Sequence, residues 1–565
     1  MNMNNKVPLS EYPRMIMVRD SYLSLNGVWE YAIRENDERV PIEFDGDILV
    51  PFSPETPLSG VNRTVRPNDV LFYRKRFSLP KGFKKEYVTL HFGAVDQVVT
   101  VYLNGTKIGF NQSGFHPFSI EISKVLKKDN ELVLVVRDYS DTRFYARGKQ
   151  KIKRGQIWYT PQSGIFMPVW LESMPRDYIE KLKITPRYDE SLVEITVFTN
   201  SKDNDAVIIF DGKEYTVKPN KVYKLKVKDF ISWSPDNPHL YPFKVKYCED
   251  EVDSYFAMRK ISVDTDEEGI KRIYLNNKIL FNTGLLDQGY YHEGYLTPPD
   301  EATVINEIKV AKEMGFNVLR KHIKIEWERF YYHCDRLGML VWQDFVNGGE
   351  PYNFVTVHVP AVLNIHFKDT NYKRFARQNA LGRELFYAEA KTTIEHLYNY
   401  PSIVLWTIFN EGWGQFDSHK LLPFVLELDN TRLIDVNSGW HDMGLGQFRS
   451  HHVYFRKYRF KKDKLDRCVI LSEFGGYAHR IPGHYYGVAN FGYRKYNTKE
   501  ELEKAVINLY EKEILPAVKQ GLAAAIYTQL SDVEDELNGV LTYDRKVVKI
   551  DPKVMRELNE KLLKA

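Results

Sequence analysis

The sequence predicts a multidomain protein of the β plus α/β class: two successive β-sandwiches followed by a (β/α)8 barrel. Three observations predict it. Up to about residue 263, short β-branched runs alternate with period two and no helical period is sustained. Beyond that point, strand-like apolar runs alternate with amphipathic helices, the pattern of repeated βα units. The length of 565 residues, 43% of them hydrophobic, suits three to five domains of about 100–200 residues, or fewer when one is a large barrel.

The elements follow in order. Val88–Phe92, Val98–Leu103 and Leu132–Val136 read as strands, and Asn104-Gly105 after the second is a hairpin signal. They place a first sandwich over residues 1–175. Val193–Val197, Ala206–Phe210 and Tyr223–Val227 alternate with period two and place a small immunoglobulin-like sandwich over residues 176–263. In residues 264–565, Glu301–Met314 carries apolar residues at helical spacing and stops at Gly315. Phe316–Leu319 is the next strand, Glu328–Leu337 a helix ending at Gly338, and Met339–Trp342 a strand. Ile403–Ile408, Arg432–Val436, Val469–Leu471 and Ala523–Tyr527 continue the series. A doubly wound sheet is the alternative, but no Gly-rich phosphate turn opens it.

Composition narrows the function. Lys+Arg 79 against Asp+Glu 75 leaves +4, which gives no support for a nucleic-acid or membrane-surface partner. Basic runs such as Lys461-Lys462 read as solvated faces. Cys248, Cys334 and Cys468 are odd in number and far apart, so neither a disulfide framework nor a structural zinc site is expected. The N-terminus lacks a signal-peptide pattern and no run reaches the ~18 apolar residues of a membrane span, so a cytoplasmic location is expected.

In a barrel the chemistry sits where strands end. Ile403–Ile408 is followed by Phe409-Asn410-Glu411-Gly412-Trp413, and Val469–Leu471 by Ser472-Glu473-Phe474-Gly475-Gly476. Each strand thus delivers one carboxylate to the same end. Two carboxyls facing one pocket, one protonated and one ionised, are what glycoside hydrolysis requires. Spacing alone leaves open that either glutamate is a loop ion-pair partner.

The chain resembles glycoside hydrolase family 2, the family of β-galactosidases, β-glucuronidases and β-mannosidases. Leu25-Asn-Gly-Val-Trp29, Phe72–Phe77, Tyr102-Leu-Asn-Gly105 and Gly164-Ile165 with Pro168–Glu172 resemble the family's N-terminal jelly-roll domain. Trp233–Tyr241 looks like the close of its immunoglobulin-like domain, and Phe256–Lys260 like the junction with its barrel, with Ala257 where the family usually has Gly. Asn410-Glu411 resembles the acid/base motif, Ser472–Gly475 the nucleophile motif and Tyr527–Asp532 the end of the eighth strand. The order and spacing of these motifs over nearly the whole chain make the resemblance specific.

The resemblance implies a retaining exo-β-glycosidase with Glu473 as nucleophile and Glu411 as acid/base. It further implies that Asn410 holds the sugar 2-hydroxyl, that Arg320 pairs with Glu473, and that Tyr454 orients Glu473. His322 becomes a sugar-hydroxyl ligand, although the β-galactosidase motif has one more residue between Arg and His. Trp440, Trp413 and Tyr477 are candidates for stacking on sugar faces, and Asp287, Gln288, Gln529 and Asp532 for hydroxyl contacts.

Departures from the family pattern bear on the substrate. Trp342-Gln-Asp-Phe345 stands where large β-galactosidases carry a magnesium-binding segment, so no cofactor or metal is expected. The Asn-x-Lys pair of β-glucuronidases is missing after Asp532, where the acidic Glu534–Gly539 segment would repel a uronate. A terminal β-linked neutral sugar, most like a β-galactoside, is therefore the expected substrate. A β-mannoside or other β-glycoside, a transglycosylation product, or a non-catalytic carbohydrate-binding barrel remain as alternatives. A carbohydrate substrate is the expected partner, and a homo-oligomer is compatible with the chain.

Overall fold

The computed structural model describes residues 7–363 and 365–565. The N-terminal part packs a six-stranded antiparallel sheet against a four-stranded one. Alternate residues of Val98–Leu103 and Leu132–Arg137 turn inward onto Trp29, Leu90 and Phe92, which are essentially buried. The expected hairpin joins Val98–Leu103 to Thr106–Asn111, and Asn104 (φ 52°) with Gly105 (φ 80°) supplies the two left-handed residues of its tight turn. A second sandwich follows, with a three-stranded sheet from Ile179–Arg187, Leu192–Thr199 and Val222–Lys226 packed on a four-stranded one.

The C-terminal part is an eight-stranded parallel barrel. Its strands are β1 (Asn282–Asp287), β2 (Val318–Lys321), β3 (Leu340–Asp344), β4 (Ile403–Asn410), β5 (Leu433–Ser438), β6 (Phe448–Val453), β7 (Cys468–Gly475) and β8 (Leu522–Thr528). Most are buried along their whole length, as expected where helices cover the outside and side chains fill the inside. The hydrogen-bonded order is β5-β4-β3-β2-β1-β8-β7-β6. Among the described residues no ladder joins β5 to β6. Side chains cross this seam instead, with Ser438 Oγ 3.3 Å from Ser450 Oγ.

Local chemistry fixes the strand register. Helix α1 (Glu301–Glu313) starts at Asp300, whose carboxylate accepts from Thr303 N, and α2 (Glu328–Leu337) stops at the left-handed Gly338. The strand expected at Phe316–Leu319 begins at Val318 and continues to Lys321. Asn317 explains the shift: its amide bonds Thr283 N and Phe281 O beside the start of β1, leaving Arg320 on the inward face near the other end.

The parts are tied by buried charge. Arg19 lies 3.1 Å from Glu172 of the first sandwich and 2.9 Å from Asp250 of the second. A long excursion of the first sandwich, residues 138–163, crosses to the barrel rim and bridges Ala146 to Gly348. Among the described residues no helix is long and apolar enough to cross a membrane.

Candidate active site

The ends of β2, β3, β4, β5, β6, β7 and β8 converge on one polar cluster. Arg320, fully buried on β2, is its hub. Its guanidinium donates to Glu473 Oε1 (3.1 Å), Asp344 Oδ1 (3.1 Å), Asn410 Oδ1 (2.8 Å) and the Ser472 carbonyl (3.0 Å). A planar fork with five donors suits such a site better than a point charge. Burial works against the Arg320 charge, but Asp344 and Glu473 outweigh it and keep the group protonated.

Glu473 also accepts from the Tyr454 hydroxyl at 2.5 Å, and that hydroxyl lies 2.9 Å from Thr528 Oγ1 at the end of β8. The Tyr454 ring stacks on Tyr493 with centroids 3.8 Å apart, which holds the hydroxyl in place. Glu411 stands just beyond β4. Its closest polar neighbour is His452 Nδ1 at 2.7 Å, and the same nitrogen is 3.4 Å from Glu473 Oε2. On its other side His452 Nε2 meets Ser438 Oγ at 3.0 Å and Arg320 at 3.5 Å. Arg320 can only donate, so Nε2 accepts and Nδ1 carries the proton toward Glu411. Burial depresses His452 to about 3, so the ring is neutral.

The two carboxyls are electrically distinct. Burial pushes Glu411 up to about 7, opposed by Lys149 and Arg320, so it holds a proton into the neutral range. Burial raises Glu473 too, but Arg320 and the Tyr454 hydroxyl touch Glu473 directly and favour its ionised form. One oxygen of Glu411, one of Glu473 and a nitrogen of His452 all lie within 4.8 Å of one another. These three residues could clasp a metal ion, although a cation would compete with Arg320 for Glu473.

The remaining expected ligands divide. Asn410 gives Oδ1 to Arg320, while its Nδ2 is buried without an acceptor among the described residues, as a group awaiting a ligand oxygen would be. His322 gives Nδ1 to Asp344 at 2.7 Å, and its Nε2 makes no hydrogen bond among the described residues. Trp440 flanks His452 with centroids 5.6 Å apart. Gln529 accepts from Gln288 at 2.7 Å, leaving its own Nε2 buried without a partner among the described residues. The others are engaged within the protein. Asp287 pairs with Lys321 at 2.7 Å and accepts from Gly289 N, and Asp532 pairs with Lys549 at 2.7 Å. Trp413 packs on Trp158, centroids 5.0 Å apart, and Tyr477 on Tyr496.

The acidic segment after β8 also differs from the expectation of a repelling rim. Glu534 accepts from Arg154 and from Thr160 N, Asp535 from Arg154, and Glu536 from the Tyr159 hydroxyl. Lys149 lies 3.9 Å from Glu536. These carboxylates hold the first sandwich's excursion in place. His452, Asp344, Ser438, Tyr493 and Lys149 are the site residues that sequence reasoning missed. The order of strands alone would have pointed to Asp344, the last residue of β3; nothing in the sequence marked Lys149.

Comparison with known proteins agrees with this architecture. Three family models match in order: "Glycosyl hydrolase 2 galactose-binding domain-like" at residues 61–165, "Glycosyl hydrolases family 2" at 178–259, and "Glycosyl hydrolases family 2, TIM barrel domain" at 269–548. A β-galactosidase of Thermoanaerobacterium thermosulfurigenes is 27% identical over 391 residues, which cover 64% of this chain and 49% of that protein. A putative β-glucuronidase of Formosa agariphila is 23% identical, covering 72% of this chain and 50% of its own. The chain thus spans about half the length of the curated relatives it matches. The solved structure of an uncultured Clostridium sp. β-glucuronidase superposes with a TM-score of 0.74 at 16% identity, covering 98% of this chain and 100% of that one, a likeness of fold. With all three models matched in sequence order, the chain belongs to glycoside hydrolase family 2.

Proposed function

We propose that the protein is a retaining exo-β-glycosidase that works through Glu473 and Glu411. The observation that carries this reading is the closeness of the two carboxyls, whose oxygens fall within 4.8 Å. Retaining sites hold their carboxyl groups about 5–5.5 Å apart, whereas inverting sites need about 6.5–9.5 Å to admit a water. In the first step a Glu473 oxygen bonds to the anomeric carbon, the glycosidic C–O bond breaks, and Glu411 gives its proton to the departing oxygen. In the second step Glu411 takes a proton from water, the water oxygen bonds to the anomeric carbon, and Glu473 leaves as carboxylate. Asn410 Nδ2 donates to the sugar 2-hydroxyl, a contact that strengthens as the transition state forms.

The first substrate to test is a β-galactoside, in line with the β-galactosidases among the relatives. A β-uronide is the second reading. One observation favours it: Lys149 is buried near Trp413 and Glu536, within electrostatic reach of Glu411 and His322. A cation there could meet a sugar carboxylate, and the acidic residues after β8 already have partners.

A panel of aryl β-galactoside, glucoside, mannoside, fucoside, glucuronide and galacturonide, with EDTA present, tests both readings. Wild type is expected to hydrolyse one glycone with retained configuration. Glu473→Gln is expected to lower kcat by more than about 10⁴-fold. Glu411→Ala is expected to slow poor leaving groups by about 10²–10⁴-fold, with azide partly restoring activated substrates. Near-normal turnover by Glu473→Gln would overturn the assignment. Loss of activity in EDTA would point to a metal at Glu411, His452 and Glu473.

A further inference from the structure

Where the seam between β5 and β6 reaches the rim of the barrel, a cavity of about 420 Å³ opens. Trp440 and His452 form its inner wall. His452 is the residue that touches Glu411, so the cavity begins one side chain away from the general acid of the proposed mechanism. Its outer wall is the segment after β6, which brings Arg456, Lys457, Arg459 and Lys461. Among the described residues no carboxylate lines the cavity. Among the described residues none of these four cations has an acidic partner, unlike Arg449, which pairs with Asp442, and Lys462, 3.1 Å from Asp466. Lys461 lines this cleft and is exposed, as is Lys462, so both fit the sequence-based expectation of a solvated face.

All four of these side chains are exposed, and set around one concavity they give it a positive potential that added salt weakens. An anion would be attracted there, and guanidinium groups match the geometry of carboxylate and sulfate oxygens. The volume lies within the roughly 300–1,000 Å³ of small-molecule sites. Position decides which part of a substrate would enter. The acid protonates the oxygen joining glycone to leaving group, so the leaving group lies on the Glu411 side, and the buried His452, which touches Glu411, also lines the cavity. We propose that this cavity is the leaving-group subsite and takes an anionic sugar, one carrying a carboxylate or a sulfate. The proposal rests on the glycosidase reading above.

The test compares two aryl β-glycosides of whichever glycone wild type hydrolyses, one with a 4-carboxyphenyl leaving group and the other its methyl ester. The ratio of their kcat/KM values is measured in wild type and in Arg456→Ala/Lys457→Ala/Arg459→Ala, each at low and high salt. In wild type the acid-to-ester ratio should exceed that of the triple variant by about tenfold at low salt and fall as salt is added. Equal ratios in the two proteins would overturn the subsite while leaving the glycosidase reading standing. If wild type hydrolyses no aryl glycoside of the panel, the glycosidase reading fails on its own, and calorimetry decides the cavity. D-glucuronate, D-galactose 6-sulfate and D-galactose are titrated into full-length Glu473→Gln, with and without the triple substitution. Binding of the uronate or of the sulfate, absent for galactose and lost in the variant, supports an anion site and tells carboxylate from sulfate. No binding of either anion overturns it.

Discussion

Glu411 is the residue on which pH should act most visibly. Its carboxyl sits near 7 chiefly because it is buried, with Lys149 and Arg320 pulling it down and Glu536 pushing it up. In the proposed role of general acid it must be protonated, so kcat/KM should fall as pH rises past about 7. Lys149→Met removes a cation that favours the ionised form, and the alkaline limb should therefore move to higher pH. A pH profile from 4 to 9 checks this, and an unmoved limb would remove Lys149 from the electrostatics of the site. The same shift has a stability consequence. A carboxyl raised on folding favours the native state below its unfolded value, and that contribution is lost as pH rises through about 7. Glu411→Gln should therefore raise Tm at pH 8 more than at pH 5, as thermal melts at the two values would show. Legibility at this scale was uneven. Glu411 and Glu473 follow apolar strands and stand out in the sequence. Asp287 looked equally well placed after its strand, but Lys321, on the neighbouring strand, takes its carboxylate. His452 lies in a strand reading Phe-Arg-Ser-His-His-Val, where no apolar run announces the barrel and only the fold sets the ring between two carboxyls.

At the scale of the element, the turn after β4 aims Glu411. Glu411 itself has φ 50°, an uncommon left-handed setting for a side chain with a Cβ, and Gly412 follows at φ 74°. A methyl group on Gly412 would stand 2.6 Å from His441 Cδ2, and the positive φ would strain it further. Gly412→Ala should shift Glu411 and lower kcat by more than about tenfold, since small misplacements of reacting groups are costly. Its circular dichroism should stay unchanged. Gly60→Ala provides the control, because Gly60 is also left-handed at φ 80° but a Cβ there meets nothing within 4 Å. Wild-type kcat in Gly412→Ala would show that the turn does not set the acid. Elements with strong periodicity, such as α2 over Glu328–Leu337, were legible to the residue. The boundary of β2 was not, because Asn317 looks like a strand residue yet pins the turn before it through side-chain hydrogen bonds.

At the scale of the whole molecule, the sequence showed three parts in order but not how the first completes the third. Trp413, a candidate sugar platform in the sequence, packs on Trp158 of another fold unit, and the acidic segment after β8 looked like a charged rim because Arg154 and Tyr159 come from that same unit. Long-range juxtapositions of this kind leave no local pattern. They also separate two kinds of interdomain contact that mutation can tell apart. Arg19 joins Glu172 and Asp250, which make no hydrogen bond or ion pair to Arg320, Glu411 or Glu473 among the described residues, and all three are buried. Removing Arg19 leaves Asp250 without its cation while Glu172 keeps Arg14, and breaking a buried ion pair from one side typically costs about 3–5 kcal/mol. Arg19→Met should thus lower the denaturant midpoint markedly while the folded enzyme keeps its kcat. Tyr159→Phe takes the hydroxyl from Glu536, beside Lys149, at the edge of the active site. That change should lower kcat/KM with only a small fall in Tm, because the ring and its packing remain. Paired measurement of denaturant midpoint and kcat/KM in the two variants checks the division. A loss of kcat in folded Arg19→Met, or an unchanged kcat/KM in Tyr159→Phe, would show that the first sandwich supports the barrel in general and does not tune the site through its 138–163 excursion.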